Sequence, residues 1–211
     1  LRYEDFLAFH SKYYHPSNSY IYLYGKMDIC ERLQWMDKEY LCAYEKKEID
    51  SVLPVQKPFE TMHEICRKYS IAASESEQDN TYLSWNVSIG TSLDVKLVTA
   101  FSILEYALLS APGAPLKQAL LDAGIGKDIM GSFESGILQP SFSVIAKNAN
   151  LADKETFLSV IRNVLEDTVK NGINQKALLA GINSSEFRFR EADYGSYPKG
   201  LMYGIDIMDS W

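Results

Sequence analysis

The chain has 211 residues, is 46% hydrophobic and carries a formal charge of −7. That is enough apolar material for a buried core, which excludes a disordered polar chain. The 21 Lys and Arg residues are scattered, whereas a nucleic-acid footprint needs them clustered to neutralise phosphates, so no nucleic-acid partner is expected. Cys30, Cys42 and Cys66 form no C-x-x-C pair, which indicates neither a disulfide framework nor a zinc ribbon and fits a reducing, cytoplasmic compartment.

Phe6, Phe9, His10, Tyr13 and Tyr14 recur at helical spacing, and Pro16 should stop that helix at His15. Ser19 to Tyr24 alternates Ile21 and Leu23 against Tyr20, Tyr22 and Tyr24, which predicts a buried strand closed by Gly25. Asp28 is a plausible N-cap for an amphipathic helix over Ile29 to Tyr44, followed by a polar connection over Lys46 to Gln56. Phe59 to Ala72 reads as a long exposed strand. The polar turn Glu75 to Asn80 should pair it antiparallel with Tyr82 to Ile89, where Leu83, Trp85, Val87 and Ile89 share one face.

Asp94 to Leu109 is apolar nearly all round, as in a helix buried on several sides. Its most apolar run, Leu97 to Leu109, contains Glu105 and is shorter than the roughly 18 residues of a membrane span, so no membrane partner is expected. Ser110 to Pro115 breaks the helix, and Leu116 to Ala123 is a short helix ended by Gly124. Strands over Lys127 to Ser135 and Ser141 to Lys147 flank a turn at Gly136 to Pro140. A helix capped by Asp153 runs through Lys170 to Gly172, and another covers Gln175 to Arg190. Strand pairs interspersed with helices indicate an α+β fold: a two-layer domain with a mostly antiparallel sheet packed against helices.

A zinc peptidase needs two histidines on one helix face with a nearby glutamate, so that neutral imidazoles hold the metal and a carboxylate takes a proton from its water. His63-Glu64-Ile-Cys-Arg67 has Arg at the second ligand position. His10 and His15 have Tyr13 and Tyr14 where His-x-x-Glu-His needs Glu and His. His10 is read as a core-edge residue and His15 as a turn residue beside Pro16. His63 and Cys66 would point to opposite faces of a strand. Gly131-Ser-Phe-Glu-Ser-Gly136 is not a nucleophile elbow, and Gly124-Ile-Gly126-Lys127 lacks the spacing and hydroxyl of a phosphate loop. Asn86-Val-Ser88 and Asn183-Ser-Ser185 match glycosylation acceptors but fall inside predicted elements. No catalytic, cofactor-binding or metal-ligating residue is expected in this chain.

Three segments carry a resemblance: Tyr13-Tyr-His15-Pro-Ser-Asn18 with the following strand and Gly25-Lys-Met-Asp28; Gly131 to Lys147; and Phe189-Arg-Glu191-Ala-Asp-Tyr-Gly195-Ser-Tyr-Pro198-Lys-Gly200-Leu201. In this order they resemble the second, non-catalytic domain of insulinase/pitrilysin-type zinc metallopeptidases, nearest the presequence-protease branch. The resemblance implies one α+β domain over residues 1–190, with 191–211 opening the link to the following region. It also implies that the chain is a segment of a longer polypeptide, since it opens on Leu1 without Met and ends on Trp211 in an apparent helix.

The parent would be a zinc metalloendopeptidase whose upstream domain carries the metal and the motif glutamate that acts as general base toward the attacking water. Implied partners are that upstream catalytic domain, the downstream half of the same polypeptide and a peptide substrate. The role left for this chain is structural, as chamber wall, with any exposed strand edge able to pair with extended peptide. The alternative is a domain of a catalytically inactive scaffold homologue, and a weaker third reading makes the segment an enzyme by itself through His10, His15 or His63.

Overall fold

The structure is a computed structural model that describes residues 2–191 and 194–210. Its contacts form two compact units. One takes the chain up to Pro54 together with Tyr194–Asp209, and the other runs from Val55 through the helix Gln175–Glu191.

The second unit holds the sheet. β1 (Thr81–Ser88), β2 (Asp128–Glu134) and β3 (Ser141–Ala149) form an antiparallel sheet in the order β1-β3-β2. The central strand is the most apolar one, because both its edges are hydrogen-bonded and its inner face lies under helices. Val144 pairs with Trp85 on one side and Gly131 on the other. The expected alternation of β1 is observed, with Leu83 buried while Tyr82, Ser84, Asn86 and Ser88 face outward.

The apolar segment after Asp94 becomes α3 (Val95–Glu105), whose first turn is capped by the Asp94 carboxylate accepting from Leu97 N–H at 3.0 Å. It continues as one wide π turn over Tyr106–Ser110, where Ala111 N–H reaches Tyr106 C=O at 2.7 Å and Ala107, Leu108 and Leu109 become buried. By length and composition the stretch Val95–Asp122 is apolar enough to cross a membrane. It is interrupted before α4 (Pro115–Asp122), and Leu108, Leu109, Leu116 and Leu120 join the core. Gly131 permits the close approach of this layer to the sheet, since a Cβ there would stand 2.8 Å from Leu109 Cβ.

α5 (Lys154–Asn171) packs Phe157 and Ile161 into the same core and ends at Gly172, whose φ of 84° favours glycine. The expected cap Asp153 makes no side-chain cap to α5; it closes the preceding 3-10 turn Leu151–Asp153, where it accepts from Asn150 N–H at 2.9 Å in a capping box completed by the Asn150 side chain. α6 (Gln175–Glu191) follows, with Gly181 against Tyr106 and Ile103. This is the two-layer α+β arrangement that the strand and helix pattern predicts.

The first unit contains α1 (Tyr3–Tyr13), a 3-10 turn at Pro16–Asn18, α2 (Ile29–Glu39) and α7 (Lys199–Ser210). Pro16 ends α1 as expected, and Asp28 caps α2 by accepting from Glu31 N–H at 3.0 Å. α2 stops at Glu39 and yields to a 3-10 turn at Leu41–Ala43, short of the expected Tyr44. Residues 192, 193 and 211 of the expected link lie outside the described residues, and most of the remainder is α7.

Two strand expectations are corrected. Ser19 to Tyr24 joins no ladder, and Ile21 is 53% exposed. Phe59 to Ala72 likewise joins no ladder and bends at residues 60 and 61, so its expected hairpin with β1 is absent and β1 pairs with β3 instead. In both, alternation favours extended backbone, but a strand exists only when a second backbone accepts its hydrogen bonds.

Candidate site: the open sheet edge and its cleft

A concavity of about 890 Å³ in the second unit is lined by β1, the turn before it, residues 62–69 and the start of α5. Leu83, Trp85 and Phe157 line it, and a further wall is formed by Met62 to Tyr69. Two contacts hold that wall. Lys154 Nζ, on the first residue of α5, sits 3.0 Å from Glu64 and 3.3 Å from Glu155. The hydrogen bond to Glu64, then that to Glu155, raises the Lys154 pKa above the usual lysine value. Tyr69 Oη donates to the Asn80 side-chain oxygen at 2.9 Å and contacts its backbone carbonyl, while its ring meets Tyr82 edge-on at 5.8 Å. Desolvation, followed by nearby Tyr82 and Glu75, raises the Tyr69 pKa.

The turn leading into β1 is tied down by a polar knot around Asp79. Its carboxylate accepts from Asn150 Nδ2 at 2.9 Å and faces Lys127 Nζ at 3.1 Å, while its N–H donates to Asn150 Oδ1 at 2.9 Å. Asn148 Nδ2 reaches the Asp79 carbonyl at 3.1 Å. The Asn150 hydrogen bond, then Lys127, holds the Asp79 carboxyl below the usual carboxylate range. Asp79 and Asn148 both adopt φ of 54°, a region where Asn and Asp are the tolerated non-glycine residues.

The titratable residues considered from sequence are dispersed. His10 stacks on Tyr14 at 4.5 Å and is exposed, rather than lying at a core edge. His15 is the turn residue expected: its Nδ1 accepts from Ser17 N–H at 3.1 Å and its ring meets Tyr44 edge-on at 5.4 Å. His63 lies over Phe59 at 4.4 Å. Among the described residues, no group of three or more His, Cys, Asp or Glu is placed to hold a metal. Ser110 Oγ donates to Glu105 at 2.7 Å, a pair without an imidazole to activate the hydroxyl. Asn86, the first glycosylation match, accepts from Ser84 and Ser143 hydroxyls at 2.9 and 2.7 Å within the sheet. The cleft offers apolar and hydrogen-bonding surface, and its named contacts are binding and anchoring ones.

A second concave region lies within the first unit, lined by Phe9, Tyr13, Tyr14, His15, Tyr40 and Tyr44 among others. The same unit contains a contact that the sequence reading missed. Tyr22 Oη donates to the Gly200 carbonyl at 2.7 Å, and the Tyr24 and Tyr22 rings occupy the places where Cβ atoms on Gly200 and Gly204 would stand. The available signal was the four-residue spacing of those glycines, which puts both on one face of α7.

The described residues form an α+β domain with an open sheet edge. The chain belongs to the Peptidase M16 inactive domain family, whose model matches residues 1–184. It is a non-catalytic domain of that family. It is 48% identical to "Protein HypA" of Clostridium perfringens over the whole chain, which covers 22% of that protein. It is 29% identical to "Presequence protease 1, chloroplastic/mitochondrial" of Arabidopsis thaliana and 26% identical to "Presequence protease, mitochondrial" of Danio rerio, again over the whole chain and 20% and 21% of those proteins. The chain thus spans about a fifth of the length of the curated relatives it matches.

Proposed function

We propose that this chain is a structural domain of a zinc-dependent metalloendopeptidase that degrades peptides, and that it forms part of the wall of the substrate chamber. The carrying observation is the inactive-domain family match over residues 1–184, supported by likeness across the chain to proteins named presequence proteases. Metal and general base belong, in this reading, to a catalytic domain upstream, and this chain contributes packing surface and sheet edge. Its partners are that domain, a downstream half of the same polypeptide and an extended peptide. Residues 1–190 constitute the domain, with 191–211 leading onward, and the protein works in a reducing, cytoplasmic compartment.

The test is hydrolysis of an unstructured peptide by the full-length protein, before and after zinc removal by a chelator, beside the 211-residue chain alone. Activity that disappears with zinc and returns on its addition, with none in the chain alone, is the expected result. An inactive zinc-loaded full-length protein would overturn the peptidase reading in favour of the inactive scaffold. Activity in the chain alone, abolished at His10, His15 or His63, would overturn the non-catalytic role.

A further inference from the structure

α5 ends on Asn171 and Gly172 follows it, the one place in the chain where asparagine precedes glycine. Ser, Thr, Val, Ala, Leu or Gln follows every other asparagine. The side-chain carbonyl carbon of an asparagine can be attacked by the backbone nitrogen of the next residue, and a Cβ on that residue hinders the approach. Gly172 has none, no neighbouring group comes within 4 Å of where one would stand, and both residues are exposed.

Two hydrogen bonds hold the reacting groups in other roles while the helix is intact. Gly172 N–H donates to Thr168 C=O at 2.9 Å, and Asn171 Nδ2 donates to Asp167 at 2.6 Å. Both belong to the last turn, where a helix opens at the lowest cost. The residues on either side are held independently. Thr168 Oγ1 donates to Val164 C=O at 2.7 Å, Ile173 packs against the core, and the Asn174 side-chain oxygen accepts from Lys176 and Ala177 N–H at 3.0 and 3.1 Å. Opening can thus be confined to Asn171 and Gly172, with the core left in place.

We infer that Asn171 is a modification site, converting spontaneously through a cyclic imide when the last turn of α5 opens. The Gly172 nitrogen forms a bond to Asn171 Cγ, the Cγ–Nδ2 bond breaks, and the proton lost from the Gly172 nitrogen leaves with Nδ2 as ammonia. Water then opens either C–N bond of the ring, giving aspartate or isoaspartate with no change of oxidation state. The new carboxylate stands four residues after Asp167 and at the negative end of α5, so the product opposes re-formation of the turn. The site therefore changes in one direction as the protein ages.

Peptide mass spectrometry of the full-length protein held at mildly alkaline pH tests this, with isoaspartate separated from aspartate by chromatography. Asn171 should convert at least about tenfold faster than any other asparagine of the chain, to a mixture of the two acids. A smaller lead over any other asparagine overturns the site. In urea-unfolded protein Asn171 should convert faster than in the folded protein. The factor should agree, within about threefold, with the protection of Gly172 N–H measured by hydrogen exchange, because one opening exposes the same nitrogen in both experiments. A larger mismatch, or equal folded and unfolded rates with a protected Gly172 amide, overturns the opening step. Neither readout depends on peptidase activity.

Discussion

β3 and the stretch Ser19–Tyr24 both alternate apolar and other residues, yet Val144 is 0% exposed in the first and Ile21 is 53% exposed in the second. The difference lies in what faces each segment. β3 has a strand on each side and helices over Val144, Ala146 and Phe142. Ser19–Tyr24 has no ladder, and its main described anchor is the docking of Tyr22 and Tyr24 against α7. The two units extend the contrast: in the second, apolar residues converge on one cluster, whereas in the first, Phe6, Phe9 and Leu33 remain exposed on helices of ordinary amphipathic pattern. Periodicity sets which face of a helix or strand is apolar. Burial requires a second surface of the right shape.

The strongest way to break this comparison is to empty the core. Phe157→Ala, at a side chain 2% exposed, should lower the stability of the chain by about 3–5 kcal/mol, read as a shift of the urea midpoint. A loss near zero would show that the Phe157 cavity collapses or that the cluster is not the stabilising core. In the first unit the largest effect should come from Gly204→Ala, because Tyr22 stands where the new methyl must go. A cost of about 1–3 kcal/mol is expected, with Tyr22→Ala in the same chain relieving part of it.

Asn150→Ala removes the capping side chain of the 3-10 turn Leu151–Asp153 that leads into α5, together with both its bonds to Asp79. It should cost about 0.5–2 kcal/mol, with amide exchange rising first at residues 79–81 and 153–155. Phe6→Ala, on the exposed face of α1, should change stability by less than about 0.5 kcal/mol. A larger loss would show that the first unit has a core after all.

The smallest expected effect is the acid response of Asp79. Its folded pKa is depressed, so its contribution is present above the ordinary carboxylate pKa of about 3.9 and is lost as pH falls through the lower folded value. NMR titration of its carboxyl should place the midpoint below that ordinary value in the wild type and nearer to it in Lys127→Ala. An unmoved midpoint would remove Lys127 from the knot.

Much of this arrangement was legible in the residues themselves. Pro16 ends α1, Asp28 and Asp94 cap their helices, Gly172 stops α5, and alternation at Leu83, Trp85 and Val87 marks β1, because each is a local stereochemical or periodic signal. The family resemblance was carried by short segments of the same kind, and no histidine spacing in the chain matched a metal motif. Tertiary structure decided the rest: that β3, not Phe59–Ala72, pairs with β1; that Tyr22 and Tyr24 meet Gly200 and Gly204; and that Asp79 meets Asn150. Those contacts join residues tens to more than a hundred positions apart. Their partners are chosen by which surfaces fit and which backbone groups find a mate, and neither quantity is a property of any one stretch of sequence.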